Sequence, residues 1–336
     1  MKKLTLLFFC IGFHLPHAVA ADSAVILMYH RFGETRFPST NIRLEQLNAH
    51  INELKRGPYT VLPVAEIVSR IKSGKPLPDR TVGITVDDGF KSVYEEAWPR
   101  FERANLPFTV FISTDPLDEK RASYMTWSNV RKMKAAGVDF GAHTASHLHM
   151  TAASPAQNKA EIKKSNTRLA AELGIAPSLF AYPFGEAGTE VINTVRTGGY
   201  AFSFGQHSGV VHPKSDFNYL PRFAMNENYG NDDRFKLIIN ALPLPVMDFT
   251  PKDTKIGQVN PPNVGFTAAP SLKNLSSLSC YVSGEGRVPV TLLGTNRIEI
   301  RATKPFAKGR TRLNCTLLGT SGRWHWLGTQ FVSLKS

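Results

Sequence analysis

The stretch Thr81-Val82-Gly83-Ile84-Thr85-Val86-Asp87-Asp88-Gly89 decides how this chain is read. Residues 81–86 are a short, mostly apolar run, the pattern of a strand buried on both faces. Two carboxylates and a glycine follow at once. Consecutive strand residues point to opposite faces, so both carboxylates reach one site only if the chain turns there. Gly89 permits that turn. A lone aspartate here would suit a helix cap, whereas two after an apolar strand point to chemistry at a strand end.

The same grammar extends outward. Residues 24–29 form another continuous apolar run, read as a buried strand. Leu44, Leu47, Ile51 and Leu54 recur at helical spacing. Strands are expected at 59–62, 108–113, 138–142, 179–182 and 200–204. Helices are expected at 64–71, 93–104, 127–136, 156–173 and 190–197, with Gly137 and Gly174 as stops. This βα order predicts an α/β fold with a parallel sheet, and about seven strands favour a barrel-like closure. The polar residues keep choosing one end of these strands. His30 follows 24–29, Asp115 follows 108–113, His143 follows 138–142, and Pro183-Phe184-Gly185 follows the strand at 179–182. In a βα barrel those ends share one face, where active sites are built.

His143-Thr144-Ala145-Ser146-His147 sets two imidazoles four residues apart. If the segment makes one helical turn, both rings face the same way. With one carboxylate they would complete a two-histidine, one-acid metal site with open positions.

Thr85-Val86-Asp87-Asp88-Gly89 and His143-Thr144-Ala145-Ser146-His147 resemble the first two motifs of the polysaccharide deacetylase family (NodB-like, carbohydrate esterase 4). The resemblance covers about residues 24–225. It implies Asp87 as catalytic base and Asp88, His143 and His147 as metal ligands. Tyr182-Pro183-Phe184-Gly185 resembles the third motif, where the backbone N–H at Phe184 helps hold the oxyanion. That motif usually begins with Arg, but Ala181 stands there, and Arg222 is the candidate to replace it. The family's late Leu-x-x-His is missing from its usual place. Leu27-Met28-Tyr29-His30 has the same spacing at the front of the domain, similar to the permuted order of biofilm poly-N-acetylglucosamine deacetylases. It implies His30 as general acid, with His207 as the competitor. The resemblance also implies a divalent ion, Zn²⁺ ahead of Co²⁺, Ni²⁺ or Fe²⁺. Tyr182, Pro183, Trp127 and Arg222 are the expected substrate contacts, with a core position as the alternative for Trp127. His149 is expected in solvent.

The ends of the chain set its context. Lys2, Lys3, the apolar residues 4–13 and the small residues Ala18-Val19-Ala20 read as an export signal over residues 1–20. Cys10 lies inside it, and the preceding Phe8 and Phe9 argue against lipidation. Cys280 and Cys315 remain, an even pair that suggests a disulfide in an exported chain. The net charge is +13, and +11 without Lys2 and Lys3. That suits anionic envelope polymers as partners, or solubility alone. No nucleic-acid motif and no later apolar run long enough to span a bilayer occur.

The deacetylase-like domain is expected over 21–242. Pro243, Pro245, Pro251, Pro261 and Pro262 mark a linker at 243–265, and a small all-β sandwich follows over 266–336. Trp324 and Trp326 there are expected either to bind glycan or to share a core-facing side. The function expected is removal of N-acetyl groups from a polysaccharide in the periplasm or cell envelope. An O-deacetylase and a non-catalytic glycan-binding protein are the rivals, and the intact acid and histidine set argues against the second.

Overall fold

The computed structural model describes residues 20–334. The expected export signal lies outside that range except for Ala20. Strands β1 (Ala24–Tyr29) and β2 (Thr81–Val86) form the longest parallel pair, and every residue in both is buried. Their register runs unbroken from Ala24 opposite Thr81 to Tyr29 opposite Val86. A strand covered on both faces has no polar side to present, hence two runs rich in Val and Ile. β3 (Thr109–Ile112), β4 (Asp139–Ala142), β5 (Leu179–Ala181), β6 (Phe202–Phe204) and β7 (Phe223–Ala224) complete the order β6-β5-β4-β3-β2-β1-β7, all parallel.

The two edges of this sheet approach each other. Leu220 exchanges backbone hydrogen bonds with Ser203 and Gly205 beside β6, and three residues later Phe223 pairs with Leu27 of β1. Residues 220–224 thus stitch the edges, and the sheet curls into the expected barrel-like form. Helices return the chain between strands. Pro155–Leu173 starts at Ser154, whose hydroxyl accepts the Gln157 N–H, and stops at Gly174 with φ 64°. Both signals follow from capping chemistry. The helix expected at 93–104 is divided into a π turn, Val93–Ala97, and an α-helix, Trp98–Ala104. Pro99 falls at the junction and lacks the N–H that an unbroken α-helix needs.

The segment 243–265, expected as a linker, holds structure instead. Val246–Thr250 is a strand, paired with Val264–Ala268. Pro245, Pro251, Pro261 and Pro262 flank these strands rather than interrupt them, and Pro243 ends a two-residue strand, Leu242–Pro243, positions that ladder bonding permits. Pro289 separates two short strands of the sandwich, Gly286–Val288 and Val290–Leu293. Gly286–Val288 joins a five-stranded sheet with Ser279–Val282, Gly309–Leu318, Trp324–Ser333 and Leu242–Pro243. Val290–Leu293 joins a four-stranded sheet with Arg297–Ile300, Val264–Ala268 and Val246–Thr250. Phe266, Ile298, Leu313 and Phe331 fill the space between the sheets. Trp324 and Trp326 do lie on one side of their strand, but not toward this core. Trp326 meets Phe223 of the barrel edge-on at 5.2 Å.

Cys280 and Cys315 are directly opposed on neighbouring strands and joined as a disulfide. The bond closes a loop of 35 residues. In the chain-entropy model that contributes about 3–4 kcal/mol. A Cys280→Ala, Cys315→Ala double variant is expected to lose unfolding free energy of this order in denaturant titration and so to unfold at lower denaturant than wild type. Alkylation of both thiols in native, unreduced protein would show that the bond does not form.

Candidate active site

Each group of interest leaves the C-terminal end of a parallel strand. His30 follows β1, Asp87 and Asp88 follow β2, His143 follows β4, and Tyr182 to Gly185 follow β5. The expected turn after β2 is present. Asp88 has φ 75° and Gly89 φ 83°, and the Gly89 N–H donates to the Asp87 carbonyl at 3.0 Å. That turn sends the two carboxylates to different partners.

Asp88 goes to the histidines. Its Oδ1 is 3.2 Å from His143 Nε2 and 3.2 Å from His147 Nε2. Ligand atoms of all three lie within 4.8 Å of one another. His143 Nδ1 is 2.7 Å from the Ala181 carbonyl, which can only accept, so Nδ1 carries the proton. The other nitrogen is left with its lone pair toward Asp88. Asp88 Oδ1 and His143 Nε2 are buried without a hydrogen-bond partner. Converging, unsatisfied donor atoms fit a divalent ion, and a carbonyl fixing the far nitrogen is the usual support for a metal-bound imidazole.

The histidine segment is not the helical turn its spacing suggested. It is an irregular loop with Thr144 at φ 62° and His147 at φ 64°. Glu161 holds it, accepting the N–H of Ala145 (3.0 Å) and Ser146 (2.8 Å) on Oε2 and the Ser146 hydroxyl on Oε1 (3.0 Å). Ser113 donates to the His143 carbonyl at 2.8 Å. Neither residue carries a signal in its own neighbourhood of sequence.

Asp87 goes inward. Arg222 grips it with Nη1 to Oδ1 at 2.7 Å and Nη2 to Oδ2 at 2.8 Å, and both side chains are wholly buried. Arg222 also donates to Thr85 Oγ1 (3.0 Å) and the Gly205 carbonyl (2.9 Å). Burial raises the Asp87 pKa, but the Arg222 guanidinium beside it overcomes that and keeps the group below its usual value. Arg222 is therefore no substrate contact; its donors are spent on Asp87 and the barrel wall. His30 Nε2 lies 3.9 Å from Asp87 Oδ2. Burial lowers the His30 pKa, against the pull of Asp88 and Asp87.

A cavity of about 390 Å³ opens beside this group, lined by His30, Asp88, His147, Phe184, Tyr229 and Arg312 among others, with the buried Asp87 and His143 behind that wall. His207 is not in its wall. Its buried ring packs on Tyr219 at 4.5 Å, and burial, with Arg222 and Arg312, pushes its pKa to about 3. Phe184 has φ 58°, its ring stacks on His149 at 3.7 Å, and it meets His147 edge-on at 4.3 Å. His149 is exposed as expected, yet it also pairs with Glu186 at 2.9 Å.

Three expected contacts fall away. Tyr182 is fully buried, with its hydroxyl on the Asn218 carbonyl at 2.8 Å. Pro183 is buried in the turn that sets up Phe184. Trp127 packs into the core with its Nε1 on Asp118 at 2.7 Å, so the core alternative holds. Asp115 pairs with Lys164 at 2.8 Å and is not in the cavity wall.

Comparison with known proteins points the same way. Residues 74–203 match the family model described as polysaccharide deacetylase. The poly-beta-1,6-N-acetyl-D-glucosamine N-deacetylase of Staphylococcus aureus is 25% identical over 245 residues, covering 65% of this chain and 82% of that protein. YxkH of Bacillus subtilis is 24% identical over 175 residues, 52% of this chain and 61% of YxkH, so the match spans under two thirds of that relative. The solved Streptococcus pyogenes deacetylase PplD, in complex with acetate, shares the fold with a TM-score of 0.60 at 21% identity, over 65% of this chain and 98% of that one.

The Asp87–Arg222 pair sets a stability test. Removing one partner of a buried pair leaves an uncompensated charge, at a cost of about 3–5 kcal/mol. Arg222→Met is expected to lose that much in denaturant unfolding at neutral pH. Arg222→Lys is expected to recover only part of it, since an ammonium cannot grip both oxygens in a fork. A loss below about 1 kcal/mol in Arg222→Met would contradict the pairing.

Proposed function

We propose that this chain, which carries a polysaccharide deacetylase domain matched over residues 74–203, hydrolyses N-acetyl groups on an N-acetylglucosamine-type polymer of the cell envelope. The observation that carries the proposal is one rim where three ligand atoms converge within 4.8 Å beside the Asp87–His30 contact. The sugar is inferred from the activity named for the S. aureus relative.

Asp88, His143 and His147 would hold the ion, with Zn²⁺ favoured and Co²⁺, Ni²⁺ or Fe²⁺ as alternatives. Bound there, a divalent ion supplies Lewis-acid polarisation of the acetyl carbonyl and a lower pKa for the attacking water. The chain's own residues do the rest. Asp87 is the base. Arg222 keeps it ionised and fixes its plane, while each oxygen retains a lone pair beyond its bond to Arg222. It accepts a proton as the water oxygen bonds to the acetyl carbon. The Phe184 N–H stabilises the charge that develops on the carbonyl oxygen. His30 donates a proton to the nitrogen as the C–N bond breaks, releasing acetate and a free amine. Its place beside Asp87 and in the cavity wall supports it over His207.

The setting is the periplasm or cell envelope, reached through the export signal expected over residues 1–20. Among the described residues no helix is long and apolar enough to cross a membrane. The basic balance of the chain suits contact with anionic envelope polymers.

The test is acetate and amine release from acetylated oligosaccharides. Chelation is expected to abolish it, and Zn²⁺ or Co²⁺ to restore it. His143→Ala and Asp88→Ala are expected to lose the metal. Asp87→Asn and His30→Ala are expected to keep it, yet lose ~10²–10⁴-fold in turnover. His30→Ala should harm amides more than activated esters, because an amine leaving group needs the proton more. A metal-loaded His30→Ala enzyme with normal amide turnover, beside a crippled His207→Ala enzyme, would move the acid role to His207. Full metal occupancy in His143→Ala would sink the ligand set, and release of acetate without amine would indicate an O-deacetylase.

A further inference from the structure

The five-stranded sheet of the sandwich turns one face to the barrel rim. Along Gly309–Leu318 the buried positions are Thr311, Leu313, Cys315 and Leu317, so Arg312, Asn314 and Thr316 point the other way. Register places Tyr281 beside Asn314, Trp326 beside Thr316 and Trp324 beside Leu318 on that same outer face. Part of the face is docked. Trp326 meets Phe223, and Gln330 Nε2 donates to the Phe184 carbonyl at 3.0 Å. Gly328 lets the Ser208 carbonyl approach so closely that a Cβ would stand 2.1 Å from it.

The remainder of the face stays open. With Tyr229 and Arg234 of the barrel side it walls a groove of about 660 Å³. Gln206, Ala224, Tyr229 and Arg312 line both this groove and the catalytic cavity, so the two are continuous. Four aromatic side chains stand out as exposed among the described residues, and three of them line this groove: Tyr229 (47%), Tyr281 (44%) and Trp324 (36%). Such concentration is not scatter over a solvated surface.

The chemistry of the lining defines the occupant. Tyrosine and tryptophan offer a flat apolar face with a polar edge. A pyranose ring presents the matching pair, a C–H face and a rim of hydroxyls. Arg312 and Arg234 bond only to neutral partners, the Gln330 side chain and the carbonyls of Ala224 and Tyr229. Their remaining N–H groups suit acetamido carbonyls and hydroxyls.

We infer that this groove binds the polymer beyond the sugar being deacetylated, so that the sandwich supplies glycan subsites continuous with the catalytic cavity. Sugar units flanking the reacting one stack on Tyr229, Tyr281 and Trp324. The inference rests on the deacetylase reading above and adds chain-length selectivity to it.

The experiment uses the metal-loaded full chain with β-linked N-acetylglucosamine oligomers of two to six units and a small aryl acetate. For wild type, KM is expected to fall as the oligomer lengthens. Trp324→Ala and Tyr281→Ala should each raise KM for the longest oligomer roughly three- to tenfold and flatten the length dependence. Trp324→Phe should keep most of it, which a merely structural role for the indole would not require. Leu293→Ala, at an exposed position of the other sheet, should match wild type and serves as the control. Wild-type length dependence in both alanine variants would overturn the groove, as would a wild-type enzyme that cleaves the aryl acetate and all oligomers with one KM. Failure of the wild type on every substrate, the ester included, would instead overturn the deacetylase reading.

Discussion

The fully buried pair between Asp87 and Arg222 is the constraint around which the rest is arranged. Taking two charges out of water is expensive, and mutual attraction offsets that cost only when the remaining polar atoms are satisfied. Here Arg222 satisfies both oxygens of Asp87, the Thr85 hydroxyl and the Gly205 carbonyl. Thr85 in turn donates to the Leu27 carbonyl at 2.6 Å. Arg222 belongs to residues 220–224, the stitch between the two edges of the sheet. The fork that orients the proposed base therefore also ties together β1, β2, the end of β6 and the seam. A looser seam would leave the carboxylate misdirected, and a missing carboxylate would leave a guanidinium stranded in the barrel.

Backbone strain is concentrated at the same rim. Of nine non-glycine residues with positive φ among those described, four are Asp88, Thr144, His147 and Phe184. Each such conformation costs about 1–3 kcal/mol and persists only where its surroundings hold it. The holding groups can be named. Glu161 and Ser113 fix the histidine loop, the Gly89 N–H closes the turn at Asp88, and Tyr219 donates to the Gly185 carbonyl at 2.6 Å. Gly185 itself, at φ 65°, lies so close to Gln206 that a Cβ would meet its backbone nitrogen at 2.5 Å. Relaxed loops would have spread the donor atoms that now converge on one point.

What could be read from sequence divides along a physical line. Asp87, Asp88, His143 and His147 were legible because each sits within a few residues of an apolar run whose end is visible, and because two carboxylates or two imidazoles at short spacing are chemically specific. The paired strands 24–29 and 81–86 were legible because strands buried on both faces tolerate few polar residues. Contacts made across the fold were not. Arg222 reads from sequence as a stand-in for a missing motif residue and as a substrate contact, because its partner lies 135 residues away. Glu161 is one charged residue on a mostly polar helix until the loop above it is in place. Tyr182 reads from sequence as a substrate contact but is buried, because an aromatic residue beside such a motif looks the same whether its ring faces solvent or the core. The prolines at 243–265 misled for a related reason. They mark where ladder bonding is impossible, and that is as true at the end of a strand as in a linker.

The sandwich completes the rim rather than hanging from it. The Phe184 carbonyl accepts from Arg310 at 3.2 Å and from Gln330 at 3.0 Å, and both donors come from sandwich strands. The residue proposed to supply the oxyanion N–H is thus held in its left-handed conformation by the sandwich strands. Gly309–Leu318 carries Arg310 at that contact, Arg312 in the wall shared by cavity and groove, and Cys315 in the disulfide. One strand therefore couples the covalent staple of the sandwich to the backbone at the barrel rim. Arg323 secures the other end of the interface, with bonds to Asp79 at 2.9 Å and to the Asn240 carbonyl at 2.7 Å. Anchored at both ends, the outer sheet face is fixed relative to the barrel rim, so a glycan lying in the proposed groove would meet the proposed site at one register.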